Sequence, residues 1–276
     1  MWPQVADESP GNRAFVFLGT TRVATEFHWH PRCVRPRTYD GRRSSYVCRM
    51  SIANRLLATL PRAAYGRLLP ELEPVTLEFG EVLYEPGDPI RHVYFPNDSL
   101  VSLLTVVDHH LALEVGMVGR EGMVGVAVAL GIAASPVRAM VQGAGDAMRM
   151  KATRFRSEFG QSQILQRQVL LYTHALMAQV AQTAACNRFH MVEARLARWL
   201  LMTRDRVASD QFRLTHEFLG HMLGVRRVGV TNAAHALKQR NLIDYSRGNI
   251  AIVNGRGLEA ASCSCYEVVK EQQVRA

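Results

Sequence analysis

The sequence predicts an α+β chain: an N-terminal β-roll of the double-sheet, jelly-roll-like kind, a long central helix, and a C-terminal winged helix-turn-helix. Three observations carry this expectation. Residues 75–155 set short apolar runs between Gly, Pro and Asp turns. From about Phe155 to Cys186 the apolar period becomes helical. Residues 214–243 then read as two helices joined by a glycine turn, with a short β-hairpin behind them. The expected division is a tail at 1–49, a roll at 50–160, a central helix at 161–188 and the winged helical domain at 189–276.

The tail contains Pro3, Pro10, Pro31 and Pro36, scattered arginines and no sustained period, so no packed element is expected there. Patterned sequence begins at Met50, which makes that residue a candidate true start of translation. A short helical region from Ile52 to about Leu72 leads into the roll. Val75, Leu77 and Phe79 alternate with polar neighbours, and Val82-Leu83-Tyr84 meets the turn Glu85-Pro86-Gly87-Asp88. Ile90, Val93 and Phe95 precede the break Pro96-Asn97-Asp98, after which Leu100, Val101, Leu103 and Leu104 continue as strand. Val137 to Val141 and Ala147 to Met150 read the same way around Gly143-Ala144-Gly145-Asp146.

In the helical region Leu165, Val169, Tyr172, Leu176, Val180 and Thr183 form one apolar stripe, while Leu170, Leu171 and Met177 form a second flank. One stripe can pack on the roll and the other on the same helix of a second copy. A break at Asn187-Arg188-Phe189-His190 precedes a helix over Met191–Met202, with Val192, Leu196, Trp199 and Leu200 inward.

The helix pair carries the functional signal. Thr215 is a candidate N-cap for a helix burying Leu219, Met222 and Leu223. Gly220 permits close approach, and Gly224 supplies a turn in which positive φ is tolerated. The second helix buries Val230, Ala233 and Leu237, and its opposite face carries Arg226, Arg227, Asn232 and Lys238. A small residue, a turn glycine, an apolar inner stripe and a basic opening together are what a helix offered to the DNA major groove requires. The following turn Ser246-Arg247-Gly248-Asn249 joins two short strands, and Arg247 at its tip suits a phosphate beside the groove.

Charge agrees with this placement. Of the formal +9, residues 1–49 hold +4, residues 50–189 are neutral and residues 190–276 hold +5. The excess within the patterned chain therefore lies where phosphate attraction needs it. Residues 168–187 lack charge but include Gln168, His174, Gln179, Gln182 and Asn187, so no membrane span is expected; Ala14 to Gly19 is too short for a signal peptide core. A cytosolic protein is expected. Cysteines at 33, 48, 186, 263 and 265 are odd in number and lack CxxC spacing, which points to reduced thiols rather than a disulfide framework. Cys263-x-Cys265 is a minor candidate for metal or redox chemistry; otherwise no metal, cofactor or catalytic residue is expected. The competing reading is a cupin-like metal enzyme or ligand-binding protein with an accessory helical domain. It would draw on His92, His109, His110 and Glu114, whose spacing is poor for a metal set.

A roll with the run GEVLYEPGDPIRHVYFP (80–96), a long central helix and a winged helix-turn-helix resembles the Crp/Fnr family of bacterial transcription regulators over about residues 50–260. The resemblance implies a homodimer on a two-fold symmetric operator, a sensory roll that answers a small-molecule effector, and RNA polymerase as a further partner. By the family's pattern Arg226 and Arg227 open the recognition helix, and Thr231 and Asn232 lie one turn further along its groove-facing side. Members that bind cyclic nucleotides hold the ribose with a Gly-Glu pair and the phosphate with an Arg-Ser pair. Here the loop reads Gly119 to Val126, with Gly122 and Gly125 present but Val126 where the glutamate is expected, and Arg138 stands one position off. A one-residue shift on a strand turns the side chain to the other face, so a cyclic nucleotide is not the expected effector. Oxygen-sensing members use N-terminal cysteines, a set that Cys33 and Cys48 do not reproduce.

Overall fold

The computed structural model describes residues 53–107, 111–207 and 209–275. The expected tail with Cys33 and Cys48, and the pair His109-His110, lie outside the described residues.

Two short helices lead in, α1 (Arg55–Ala58) and α2 (Arg62–Leu68). Asn54 caps α1 by accepting from Leu57 N–H at 3.0 Å. Its amide also donates to Pro96 O (2.8 Å) and Gly122 O (2.9 Å), fixing the lead-in to the roll. Seven strands follow: β1 (Glu73–Leu77), β2 (Val82–Tyr84), β3 (His92–Pro96), β4 (Leu100–Val107), β5 (Leu111–Val118), β6 (Arg138–Gly143) and β7 (Gly145–Lys151). They form two antiparallel sheets, ordered β1-β7-β3 and β2-β6-β4-β5. Val93 and Phe95 from the first sheet meet Val101, Val118 and Val141 from the second in one core. This is the expected double-sheet roll.

The helical period expected from about Phe155 covers more than the central helix expected at 161–188. The region is two helices, α3 (Ala152–Gln161) and α4 (Gln163–Phe189). Ser162 separates them: its backbone is extended, and its hydroxyl accepts from Leu165 N–H at 3.3 Å as the N-cap of α4. Leu165, Val169, Tyr172 and Leu176 of α4 pack on the roll, whereas Leu170, Leu171 and Met177 are exposed.

The C-terminal region begins with α5 (Val192–Val207), longer than the expected Met191–Met202. Next come β8 (Gln211–Arg213), α6 (His216–Leu223), α7 (Arg227–Gln239), β9 (Ile243–Ser246) and β10 (Asn249–Ile252). The hairpin β9–β10 gains β8 as a third strand, in the order β8-β10-β9. Two further helices, α8 (Gly255–Ala261) and α9 (Cys265–Arg275), pack on α5 and α4 respectively. Among the described residues no helix is long and apolar enough to cross a membrane.

The roll and the winged head share apolar contacts: Leu100, Leu104 and Met117 pack with Leu196, Trp199 and Leu223. Glu114 is buried at this junction, accepting from Trp199 Nε1 (2.9 Å) and Ser102 Oγ (2.6 Å). Burial pushes its carboxyl up to about 7, against the pull of those two donors. A carboxyl that holds its proton more tightly when folded stabilises the fold fully below its ordinary value near 4.5, and the contribution is lost as pH rises through about 7. The loss amounts to up to about 3 kcal/mol. Glu114→Gln is expected to flatten thermal stability between about pH 5 and pH 8, which a series of melts would check. An unchanged slope would place the pH dependence elsewhere.

Candidate nucleic-acid interface

Local chemistry sets the helix-turn-helix. Thr215 Oγ1 accepts from Phe218 N–H at 3.1 Å and starts α6, which buries Leu219, Gly220, Met222 and Leu223. Gly224 ends it in the left-handed region at φ 61°, and a Cβ there would meet Leu113 at 2.6 Å. The chain returns past Gly220, where a Cβ would lie 2.9 Å from Val225 O. Arg226 is the N-cap residue of α7, and its side chain makes no cap hydrogen bond to the first N–H groups of that helix.

Val230, Ala233, Ala234 and Leu237 bury the inner face of α7. Arg226, Arg227, Thr231, Asn232 and Lys238 are all exposed, so the structure brings these sequence candidates onto one surface. The side chains are not equally free. Lys238 Nζ lies 2.6 Å from Asp244 Oδ1 and 5.0 Å from the centre of the Tyr245 ring, which ties the helix to the wing. Thr231 Oγ1 donates to Arg227 O at 3.1 Å and lies 3.1 Å from His216 Nδ1 on α6. Burial and then the Arg227 charge hold the His216 imidazole below its ordinary range, which favours the neutral ring. Val228, His235 and Gln239 share the exposed strip with Thr231 and Asn232 but were not singled out from the sequence. The signal that could have found them is Val228, an apolar residue off the Val230–Ala233–Leu237 stripe, and it is 61% exposed. Such a side chain suits contact with a thymine methyl.

The wing turn consists of Arg247 (φ 48°) and Gly248 (φ 82°), a two-residue loop that leaves the Arg247 side chain exposed.

The loop matched to a nucleotide cassette packs closely against its neighbours. A Cβ on Gly122 would fall on the Tyr172 ring, whose hydroxyl donates to Met123 O at 3.0 Å. Gly125 leads into a 3-10 turn, Val126–Leu130, beside Tyr84, Ile90 and Val93. Arg138 Nε donates to both Glu85 oxygens, at 3.0 and 2.9 Å, so its charge is already matched. Next to this loop runs a buried polar chain: Arg206 Nε donates to Glu121 Oε1 (2.8 Å), Arg206 Nη2 to Gln179 Oε1 (3.1 Å), and Gln179 Nε2 to Met117 O (3.1 Å). It joins roll, head and central helix. A cavity of ≈ 280 Å³ adjoins it, bounded in part by Arg55, Glu121, Tyr172, Gln179 and Val274.

His92 stands on β3 and Glu114 on β5, strands of different sheets. No cupin-like donor set forms from them; among the described residues the group able to hold a metal lies elsewhere, at Cys186, His190, Cys263 and Cys265.

Residues 194–261 match the model of the Crp-like helix-turn-helix domain. Among solved structures the fold is similar to FixK2 from Bradyrhizobium japonicum, at 14% identity and TM-score 0.61, over 70% of this chain and 98% of that one. It is also similar to the c-di-GMP responsive global regulator CLP of Xanthomonas campestris, at 16% identity, TM-score 0.57, and coverage of 70% and 99%. A third likeness is to a Crp/Fnr-family transcriptional regulator from Thermus thermophilus, at 19% identity, TM-score 0.57, and coverage of 69% and 98%. No curated protein matches the sequence. The fold is that of Crp/Fnr regulators, and the C-terminal region is a Crp-like helix-turn-helix domain.

Proposed function

We propose that this chain, built on the Crp/Fnr fold and ending in a Crp-like helix-turn-helix domain, is a homodimeric, sequence-specific transcription regulator without catalytic activity. The observation that carries the reading is α7: its apolar face is buried in the head, and its outer face presents Arg226, Arg227, Val228, Thr231, Asn232 and His235 together. Arg227 would pair with guanine O6 and N7, and Asn232 with adenine. Arg247 and the open N-terminus of α7 would hold phosphates. Two copies would place their α7 helices about 34 Å apart on a palindromic operator. Cytosolic placement and contact with RNA polymerase follow from that role.

The signal that controls it belongs to the roll, and the favoured effector site is the cavity at the roll's edge, where Glu121 faces α1, α4 and α9. Gly122, Gly125, Val126 and Arg138 then act by shaping the roll around Tyr172 and Glu85. Cyclic-nucleotide control is disfavoured, because Arg138 already faces a carboxylate and Val126 offers no acceptor for a ribose hydroxyl.

Selection of bound duplexes from a random pool tests symmetry and half-site spacing together. On the selected operator, Arg227→Ala is expected to cost about 1–3 kcal/mol and relax preference at one base pair of each half-site. Arg247→Ala is expected to weaken all sequences alike and to lower the salt slope by about 1. Affinity and preference unchanged in Arg227→Ala would remove this helix from the groove.

A further inference from the structure

Cys186 and His190 stand at the end of α4, and Cys263 and Cys265 at the junction of α8 and α9. Their donor atoms all lie within 4.8 Å of one another, and the three cysteines are buried. Cys186 Sγ is 3.5 Å from Cys263 Sγ, and Cys265 Sγ is 3.4 Å from His190 Nδ1. For four donors around one zinc ion, bond lengths of about 2.3 Å to sulfur and 2.0–2.1 Å to nitrogen give tetrahedral edges of about 3.5–3.8 Å. Two edges are therefore near their bound length, and the widest pair needs to close by only about 1 Å. Donors shared among the irons of a cluster would stand farther apart than donors sharing one ion.

The surroundings supply a second, independent observation. Gln182 Nε2 points at Cys265 Sγ at 3.0 Å, the outer hydrogen bond that a metal thiolate requires. Arg195 and Arg198 are buried to 5% and 3% exposure, and neither forms a salt bridge with a described carboxylate. Their Nε atoms have no hydrogen-bond partner among the described residues. Three thiolates and a neutral imidazole around a divalent ion carry one net negative charge, which would compensate a buried guanidinium.

We propose that Cys186, His190, Cys263 and Cys265 form a Cys₃His site for a single zinc ion, which fastens the C-terminal helix α9 to the end of the central helix. The ion lies beside Phe189–Val192, where α4 passes into the head, so its occupancy would fix how the head is carried. It is independent of the DNA reading.

Untagged full-length protein, purified under reducing conditions from zinc-replete cells, is expected to hold about one zinc ion per chain by elemental analysis. Co²⁺ added to chelator-stripped protein should give the visible absorption of a tetrahedral thiolate site, saturating at about one equivalent. Cys186→Ser/Cys263→Ser should abolish both signals. Gln182→Ala keeps every donor and should weaken the ion by about 10–100-fold, so the test survives if the double variant fails to fold. Zinc below about a tenth of an equivalent with no tetrahedral cobalt spectrum would overturn the site. Equal metal in the double variant would overturn it as well.

Discussion

Arg206→Ala is expected to lower the stability of the folded chain by about 3–5 kcal/mol. Arg206 is 2% exposed and uses all three guanidinium nitrogens: Nε to Glu121 Oε1, Nη1 to Met202 O, and Nη2 to Gln179 Oε1. Gly119 makes room for its stem, since a Cβ there would lie 2.6 Å from Arg206 Cβ. Truncation would remove the cation and leave Glu121, itself only 11% exposed in its side chain, without its ion partner. The Gly119 N–H remains at 3.2 Å from the carboxylate, which places the loss toward the lower end of that range. Urea midpoints read the effect directly. A second variant separates folding from control. Glu121→Leu/Arg206→Met replaces both charges with apolar volume and is expected to recover most of the stability. Because the pair joins the roll loop to the first helix of the head, its operator affinity should still differ from that of the unaltered chain. Recovery of both quantities would confine the pair to folding.

The parts of this molecule that local chemistry dictates were legible in the sequence. Thr215 as a cap, Gly224 in a left-handed turn and the Val230–Leu237 stripe each depend on residues within a few positions. What depended on distant partners was not. Glu121 and Arg206 are 85 positions apart, and nothing in either neighbourhood marks them as a pair. Cys186 and Cys263 are 77 positions apart; the ligand spacing that looked absent is assembled only when α9 folds back on α4. The boundary expected between 160 and 161 falls beside Ser162, but α3 as a helix of its own was not expected, because helical apolar spacing continues from Phe155 through Leu165. The strand β8 has three residues, too few for alternation to declare it, and only its pairing with β10 defines it. Lys238 combines both cases. Its position on the outer face of α7 was legible, but its pairing with Asp244 and its contact with Tyr245 on the wing were not.

The largest functional effect is expected from Leu170→Glu/Met177→Glu, which should convert the proposed dimer to a folded monomer. Leu170 is 50% exposed and Met177 67% exposed in the single chain, on the side of α4 away from the roll. With His174 and Ala181 they recur at alternating steps of four and three, the spacing of a seam between two helices. Gln182 meets Cys265 of α9 and Cys186 meets Cys263 just before it, on a different side of α4, so the C-terminal helix leaves the seam open to a second copy. Four carboxylates brought together across a two-fold axis would repel one another at a surface that needs to exclude water. The helix itself should persist, since neither side chain supports the single chain's core; circular dichroism checks this. Sedimentation should give half the native mass. Affinity for the palindromic operator should fall by about 10²–10⁴-fold, the advantage that linking two heads confers, while affinity for an isolated half-site stays the same. A variant that still sediments as a dimer and keeps its operator affinity would show that the two copies meet through another face.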